Sequence, residues 1–172
     1  MEKDAKHWFA LYTRSRSEKK TCQNLMDSGF EAFLPLSTRM KQWSDRKKKV
    51  QEPLIPSYVF VRLAERELNN VLPIQGVVAV LKHLGKPAIV KDHEIENLQI
   101  ITDAQQEIKT ISDFKFKNGD PIEVVFGPFT GLKAVYIRYQ GEYRVLVNIQ
   151  SMNTSFSVNI PLDYIQTSKT QH

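Results

Sequence analysis

Two apolar runs stand out in the first third of the chain. The run from His7 to Thr13 is aromatic and apolar and predicts a buried strand. The run from Tyr58 to Leu63 predicts a second strand, with Tyr58 and Phe60 on one face and the intervening valines on the other. A strand that is apolar on both faces lies in a sheet covered on both sides, or covered on one side and used for binding on the other.

A helix is predicted between these strands. Ser15 and Glu18 have capping-box spacing, in which each side chain satisfies a free backbone amide of the first turn. Cys22 and Leu25 continue at helical spacing. Gly29 ends the helix because glycine readily adopts the left-handed conformation.

The rest of the N-terminal part mixes strands and helices. The pattern predicts a strand over 30–36 with its return over 50–54, a helix over 65–74, a hairpin formed by 77–82 and 88–90, and a helix capped by Asp92 with an apolar stripe of Ile95, Leu98 and Ile101. This order predicts an α+β domain over 1–108, an antiparallel sheet flanked by helices.

The pattern changes after residue 108. Residues 109–118 have no clear periodicity and are predicted to be a linker. Short alternating strands follow, separated by turn signals at Gly127-Pro128, Gly131 and Gly141. They predict a small five-stranded, SH3-like β-barrel over 119–166 and a frayed tail over 167–172.

Composition narrows the class of protein. The chain has 172 residues, of which 41% are hydrophobic and 25% charged, the ordinary globular range, so wholesale disorder and coiled-coil architectures are excluded. No apolar run approaches the ~20 residues of a membrane span, and the N-terminus lacks a secretory signal. The single cysteine, Cys22, excludes an internal disulfide. We therefore expect a soluble, cytoplasmic protein that is monomeric and does not act at a membrane.

The formal net charge of +5 is concentrated in one segment. Between residues 39 and 49 a single acidic residue, Asp45, stands against six basic residues, namely Arg39, Lys41, Arg46, Lys47, Lys48 and Lys49. Such a block is either a solvated loop or a contact to nucleic-acid phosphate. Trp43 favours the second interpretation, because a base can stack on an exposed indole. The segment is predicted to be the tip of a long hairpin.

Catalytic and metal chemistry has no candidate in the sequence. The four histidines do not have ligand spacing, and none has a cysteine nearby. The seven glycines are scattered and form no phosphate-binding loop. We expect no enzyme activity, no metal and no cofactor.

Several stretches together resemble the NusG family of transcription factors. Trp8-Phe9-Ala10-Leu11-Tyr12-Thr13-Arg14 with Glu18, and Glu52-Pro53-Leu54-Ile55-Pro56-Ser57-Tyr58-Val59-Phe60-Val61, resemble the two signatures of its N-terminal domain. Gln75-Gly76-Val77-Val78 with Gly85-Lys86-Pro87-Ala88 resembles the next hairpin of that domain. Gly119-Asp120 with Gly127-Pro128-Phe129 resembles the start of its C-terminal KOW barrel. Trp43-Ser44-Asp45-Arg46-Lys47-Lys48 resembles a specialised branch, the RfaH-like antiterminators of Bacteroides capsule operons.

The resemblance implies RNA polymerase as a partner. An apolar concavity would pack on the β′ clamp helices, and the opposite edge would reach the β subunit. The positions that match the concavity are Tyr12, Ile55, Tyr58, Phe60 and Val80. The edge is altered in this chain, since Leu68-Asn69-Asn70-Val71 stands where RfaH has a His-Thr-Thr-Thr run.

The resemblance also implies contacts to the non-template DNA strand. The matching positions are Arg14, Lys20, Asn24 and Gln75. The KOW barrel would bind a small-subunit ribosomal protein or Rho, although Ala134 replaces the glycine usual in its motif. The valine-rich strands favour a β-structure for this segment and argue against a switch to helices.

The implied function is that of a transcription elongation factor that suppresses pausing and termination, specialised for particular operons. Two alternatives stay open. The chain could be an RNA-binding KOW protein of the translation apparatus, or the general housekeeping member of the NusG family.

Overall fold

A computed structural model of the chain describes residues 5–104, 109–111, 119–139, 142–160 and 164–168. Contacts divide these residues into two compact units. The first unit is drawn from Met1–Leu36 and Val50–Asp92, and the second from Ser37–Lys49 and His93–His172. Within the described residues, no helix combines the length and the apolar character needed to cross a bilayer.

The part of the chain up to residue 104 alternates strands with three helices. In order these are β1 (Lys6–Thr13), α1 (Glu18–Asp27), β2 (Glu31–Phe33), β3 (Leu36–Gln42), β4 (Lys47–Pro53), β5 (Tyr58–Ala64), α2 (Leu68–Val71), β6 (Val77–Val80), β7 (Lys82–His83), β8 (Lys86–Pro87), β9 (Ile89–Val90) and α3 (Asp92–Asp103). A 3₁₀ turn, Glu65–Glu67, precedes α2.

The first unit is built on a sheet in the order β2-β5-β1-β6, with β9 also paired to β1. β1 is antiparallel to β5, and Phe9 lies opposite Val61. Side chains from alternate positions of both strands form a core with α1, which includes Leu25 and Cys22. The predicted alternation of β5 is therefore confirmed, and β1 alternates in the same way, since the odd-numbered residues of both strands line this core.

The first helix begins differently from the prediction. Ser17 is its N-cap and makes no side-chain capping hydrogen bond, so the predicted capping box of Ser15 and Glu18 is wrong. The Glu18 carboxylate instead accepts a hydrogen bond from the backbone N–H of Ser57, at 2.8 Å. Glu18 therefore accepts a hydrogen bond from a residue 39 positions away, and not from the first turn of its own helix, as the spacing had suggested.

The basic segment is the end of a hairpin, as predicted. β3 and β4 form a two-stranded sheet. At the turn, the backbone N–H of Trp43 donates to the carbonyl of Arg46 at 2.8 Å. The hairpin strands extend further than expected, because the basic residues from Lys47 onward belong to β4 and not to a loop.

The second unit contains an antiparallel sheet in the order β10-β14-β13-β12-β11-β15. Its strands are β10 (Lys109–Ile111), β11 (Pro121–Val124), β12 (Lys133–Tyr139), β13 (Glu142–Ile149), β14 (Thr154–Asn159) and β15 (Ile165–Thr167). Five strands were predicted over 119–166, whereas this sheet has six strands among the described residues, because β10 joins it from outside the predicted limits and β15 extends beyond them. β10 lies in the segment predicted to be a linker, whose residues 112–118 are outside the described part. β15 includes Thr167, which the prediction assigned to the frayed tail; residues 169–172 also lie outside the described part.

α3 packs with this sheet through two buried polar side chains. Glu94 accepts hydrogen bonds from the backbone N–H of Gln150 at 2.7 Å and from the hydroxyl of Ser151 at 3.2 Å. Asn97 exchanges two hydrogen bonds with the backbone of Lys133, at 2.9 and 3.2 Å. Most of α3 therefore belongs to the second unit, and the contacts do not divide the chain at residue 108. The domain boundary at residue 108 stays a prediction.

Candidate functional site

A pair of tyrosines marks the face of the first sheet that lies opposite α1. Tyr12 of β1 and Tyr58 of β5 are paired across the strands. Their ring centroids are 5.5 Å apart in an edge-to-face arrangement. Tyr12 is 44% exposed and Tyr58 is half-buried. Two adjacent, accessible aromatic rings are typical of the centre of a protein interface.

Phe60 lies on the same face but is fully buried. Its ring stacks on Phe33 of β2 with centroids 6.2 Å apart, and Phe33 in turn meets the edge of Trp8. Ile55 is also buried. Phe60 and Ile55 were both matched to the apolar concavity, but neither is accessible on the surface of the free protein, and neighbouring aromatic residues enclose Phe60.

Val80 is on the other face of the sheet. It lies opposite Leu11 in the β1–β6 register and packs against the core on the α1 side. The prediction that Val80 shares the concavity with Tyr12 is therefore wrong. The register places Ala79, and not Val80, opposite Tyr12. The register then shifts between Tyr12 and Thr13, so that Thr13 pairs with Val77.

The turn that precedes Tyr58 is held to α1. Ser57 has a φ of +64°, in the left-handed region that non-glycine residues rarely adopt. Its N–H donates to the Glu18 carboxylate, and its carbonyl accepts from the N–H of Thr13 at 2.8 Å. Glu18 is only 6% exposed, so this carboxylate is committed to the turn.

The four positions matched to DNA contacts lie together. Arg14, Lys20 and Gln75 line one pocket of about 110 Å³, with Ser17, Thr21 and Gly76 completing it. The side-chain amide of Asn24 donates to the carbonyl of Gln75 at 3.0 Å. The backbone N–H of Arg14 donates to the carbonyl of Gly76 at 3.1 Å, which fixes the chain at the end of β1 beside the start of β6.

The pocket is suited to an anion or a polar ring. It has two cationic side chains and lies at the N-terminal end of α1, where backbone N–H groups and the helix dipole favour negative charge. The Thr21 hydroxyl is buried and has no hydrogen-bond partner. A side chain at position 76 would overlap this hydroxyl, and Gly76 has a φ of +101°. Thr21 and Gly76 were missed by the sequence analysis; the i, i+4 spacing of Ser17 and Thr21 was the available signal.

The hairpin carries its cations and its indole at the surface. All residues from Arg39 to Lys49 are exposed, Trp43 to 54%. The Lys48 ammonium lies 5.6 Å from the centroid of the Trp43 ring. The ring therefore has a cation over it, and Lys48 shares a face of the hairpin with Trp43.

The stretch that replaces the His-Thr-Thr-Thr run is half core. Leu68 and Val71 are buried and pack beneath the sheet, while Asn69 and Asn70 are exposed. Only the two asparagines are available for an interaction on this surface.

The described residues offer neither a cluster of metal ligands nor an activated thiol. Among the described residues, no three His, Cys, Asp or Glu side chains lie close enough to hold a metal ion. Burial raises the pKa of the Cys22 thiol, so the protonated, unreactive form is favoured.

Comparison with known proteins gives consistent matches. Residues 6–99 match the family model described as transcription termination factor nusG. The transcription termination/antitermination protein NusG of Rickettsia bellii is 25% identical over 98% of this chain and 92% of its own length. The corresponding protein of Helicobacter pylori strain 26695 is 28% identical over 93% of this chain and 95% of its own length. A solved structure that concerns the domain interaction in Thermotoga maritima NusG is also similar. The match covers 95% of this chain and 98% of that chain, with a TM-score of 0.51 and a sequence identity of 22%.

Proposed function

Because this chain belongs to the NusG family of transcription termination and antitermination factors, we propose that it is an RfaH-like antiterminator. It binds RNA polymerase during elongation, suppresses pausing and termination, and acts at particular operons. The observation that carries this proposal is the pocket formed by Arg14, Lys20 and Gln75.

The pocket is the proposed site for the exposed non-template DNA strand. Arg14 and Lys20 neutralise phosphate charge, and this contribution to affinity does not depend on sequence. The exposed Gln75 side chain supplies an amide donor and a carbonyl acceptor, a second set of groups that can distinguish one base from another. Recognition of specific operons follows from this second set of groups.

The tyrosine pair is the proposed contact to the β′ clamp helices. Tyr12 and Tyr58 offer aromatic area next to Ala79, on the sheet face opposite α1. Phe60 and Ile55 support this surface from within, since both are buried. Asn69 and Asn70 form the remaining edge toward the β subunit.

The hairpin is the proposed second nucleic-acid contact. Its exposed lysines lie beside an indole on which a base could stack once Lys48 moves aside. The sheet of the second unit is the proposed KOW module, which takes a small-subunit ribosomal protein or Rho as its partner. The buried aliphatic core of this sheet, with Val145, Val147 and Ile149, supports a stable β-structure.

A salt titration tests both nucleic-acid sites. Binding is measured to elongation complexes that have or lack the non-template strand, for the wild type, for Arg14→Ser/Lys20→Ser and for Lys47→Ser/Lys48→Ser/Lys49→Ser. Removal of one lysine or arginine that neutralises a phosphate of a single strand should lower the log–log salt slope by about 0.7. The pocket variant should bind the two kinds of complex equally well.

A double variant of equal charge is the matched control. Lys6 and Lys133 are exposed and lie outside the pocket and the hairpin. Lys6→Ser/Lys133→Ser should keep the wild-type slope on both complexes. Equal slopes for all variants would overturn the nucleic-acid sites, and recovery of ribosomal subunits in place of polymerase in a pull-down would overturn the proposed function.

Selection from complexes with randomised non-template strands separates a specialised factor from a general one. Enrichment of one element by the wild type, absent in Gln75→Ala, is the expected result. Uniform binding to all sequences would assign the chain to the general housekeeping role.

A further inference from the structure

The hairpin of β7 and β8 ends in an exposed leucine. Lys82 pairs with Pro87 and His83 with Lys86, which leaves Leu84 and Gly85 as a two-residue turn. Leu84 is 91% exposed, more than any other large hydrophobic residue among the described side chains. A single exposed leucine is ordinary on a protein surface, so its conformation decides its significance.

Leu84 occupies a backbone conformation that leucine disfavours. Its φ is +51°, and that of Gly85 is +79°. A two-residue hairpin turn with positive φ at both positions is normally Asn-Gly or Asp-Gly, because asparagine and aspartate tolerate the left-handed region. Folding alone would therefore favour asparagine at position 84. The leucine adds strain and exposes apolar surface, and such outliers gather at functional positions.

The base of this hairpin is firmly held. The N–H of Leu81 donates to the carbonyl of Ala10, and the N–H of Ala88 donates to the carbonyl of Leu81, both at 2.9 Å. Ala88 and Val90 are buried, and β9 pairs with β1. The tip is thus presented by the sheet, and little conformational entropy is lost when it is bound.

The surroundings of the tip are cationic. Lys82, His83 and Lys86 are exposed. No acidic residue occurs from Lys82 to Lys91, and neither does a phenylalanine, tyrosine or tryptophan. The exposed Leu84 side chain needs an apolar contact, which the phosphates of a nucleic acid do not supply, so an acidic protein surface with an apolar pocket fits the tip better than a nucleic acid.

We propose that Leu84, flanked by Lys82 and Lys86, is a docking tip that inserts into an apolar pocket rimmed by carboxylates on RNA polymerase. This inference rests on the proposed function for the identity of the partner. The leucine supplies buried apolar area, and the two lysines supply orientation and faster association. Strain in the turn is kept because asparagine would remove the anchor.

The decisive variant is Leu84→Asn, which separates folding from binding. Relief of the backbone strain at position 84 should raise Tm by about 2 °C. Removal of the leucine side chain should weaken binding to purified core RNA polymerase at least about tenfold, mainly through faster dissociation. A variant that is more stable yet binds less well excludes misfolding as the cause. Lys82→Ser/Lys86→Ser should slow association and reduce its salt dependence.

Leu72→Asn is the matched control. Leu72 is 41% exposed and has an ordinary φ of −61°, so this substitution should leave affinity for polymerase unchanged. Wild-type affinity for Leu84→Asn would overturn the docking tip and leave the proposed function standing. Weaker binding seen only with DNA-containing elongation complexes, and not with core polymerase, would also overturn it in favour of a DNA contact. Failure of the wild type to bind polymerase would overturn both.

Discussion

The two faces of the first sheet are both apolar, but they are enclosed to different degrees. On the α1 side, Phe9, Leu11 and Val61 are completely buried against the helix. On the opposite face burial is graded, from fully enclosed Phe60 to Tyr12, which is 44% exposed. One face is a closed core, and the other combines a core with an accessible surface.

This difference shows that an apolar strand face has more than one possible fate. Phe60 and Tyr58 are two residues apart and point the same way, yet only Phe60 has an aromatic neighbour on β2 that stacks on it. Tyr58 has its neighbour on β1 at the rim of the sheet. The position in the sheet, and not the residue type, decides which aromatic side chain is enclosed and which stays accessible to a partner.

Phe60→Ala should have the largest effect, because Phe60 is the fully enclosed residue on the face opposite α1. Removing a buried phenylalanine leaves a cavity and should lower the free energy of unfolding by about 3–5 kcal/mol. Urea denaturation measures this decrease. A change below about 1 kcal/mol with an unaltered circular dichroism spectrum would instead place Phe60 on the accessible part of the face.

Glu18→Ala should have the next largest effect, because it breaks the link from α1 to the turn before Tyr58. The N–H of Ser57 would be left without its acceptor, at a cost of about 1–3 kcal/mol. Glu18→Gln keeps an acceptor and should destabilise the protein less. Urea denaturation and amide exchange at Ser57 measure the change.

Glu31→Ala is the control for Glu18. Glu31 is exposed and its ion pair with Arg62 is long, at 3.9 Å, so its removal should change stability by less than about 0.5 kcal/mol. Equal destabilisation by Glu18→Ala and Glu31→Ala would contradict a specific role for the buried carboxylate.

Tyr12→Ala should separate stability from binding on the accessible part of the face. Removal of the edge-to-face pair should lower stability by about 0.5–1.5 kcal/mol, while affinity for RNA polymerase should fall about tenfold or more. Met26→Ala removes a similarly exposed apolar side chain from α1 and should leave this affinity intact. Equal affinities for the two variants would count against the tyrosine pair as a polymerase contact.

Cys22 gives the smallest expected effect and probes the closed face. Burial raises the pKa of its thiol above that of the unfolded chain, which is about 8.5. The stabilisation of the protonated thiol is complete below this pH and is lost as pH rises toward the folded-state pKa. Stability measured from about pH 8 to 10 should therefore fall more steeply for the wild type than for Cys22→Ala. Parallel curves would mean that the thiol is open to solvent.

Much of the local structure could be predicted from the sequence. The apolar runs of β1 and β5, the glycine at the end of α1 and the basic hairpin all depend on residues that are close in the chain, and all were found. Ile95, Leu98 and Ile101 are buried on one side of α3, as their spacing requires. The capping box failed because Glu18 found a stronger partner 39 residues away.

The candidate pocket was predicted only through the resemblance to a family. Arg14 and Gln75 are far apart in sequence and meet because β6 pairs with β1 and the Arg14 N–H bonds to Gly76. The burial of Thr21 against Gly76 depends on the same pairing. No local pattern specifies which strand will lie next to another.

The sequence alone located β1, β5, the glycine that ends α1 and the basic hairpin, because backbone propensity, glycine conformation and side-chain alternation act over a few residues. Three features appear only in the folded chain: Val80 joins the closed face, Phe60 is enclosed while Tyr12 is exposed, and Glu18 accepts a hydrogen bond from a distant turn. These outcomes depend on strand order and register, which bring together residues that are distant in the chain, and on the burial that follows when neighbouring strands and helices cover a face.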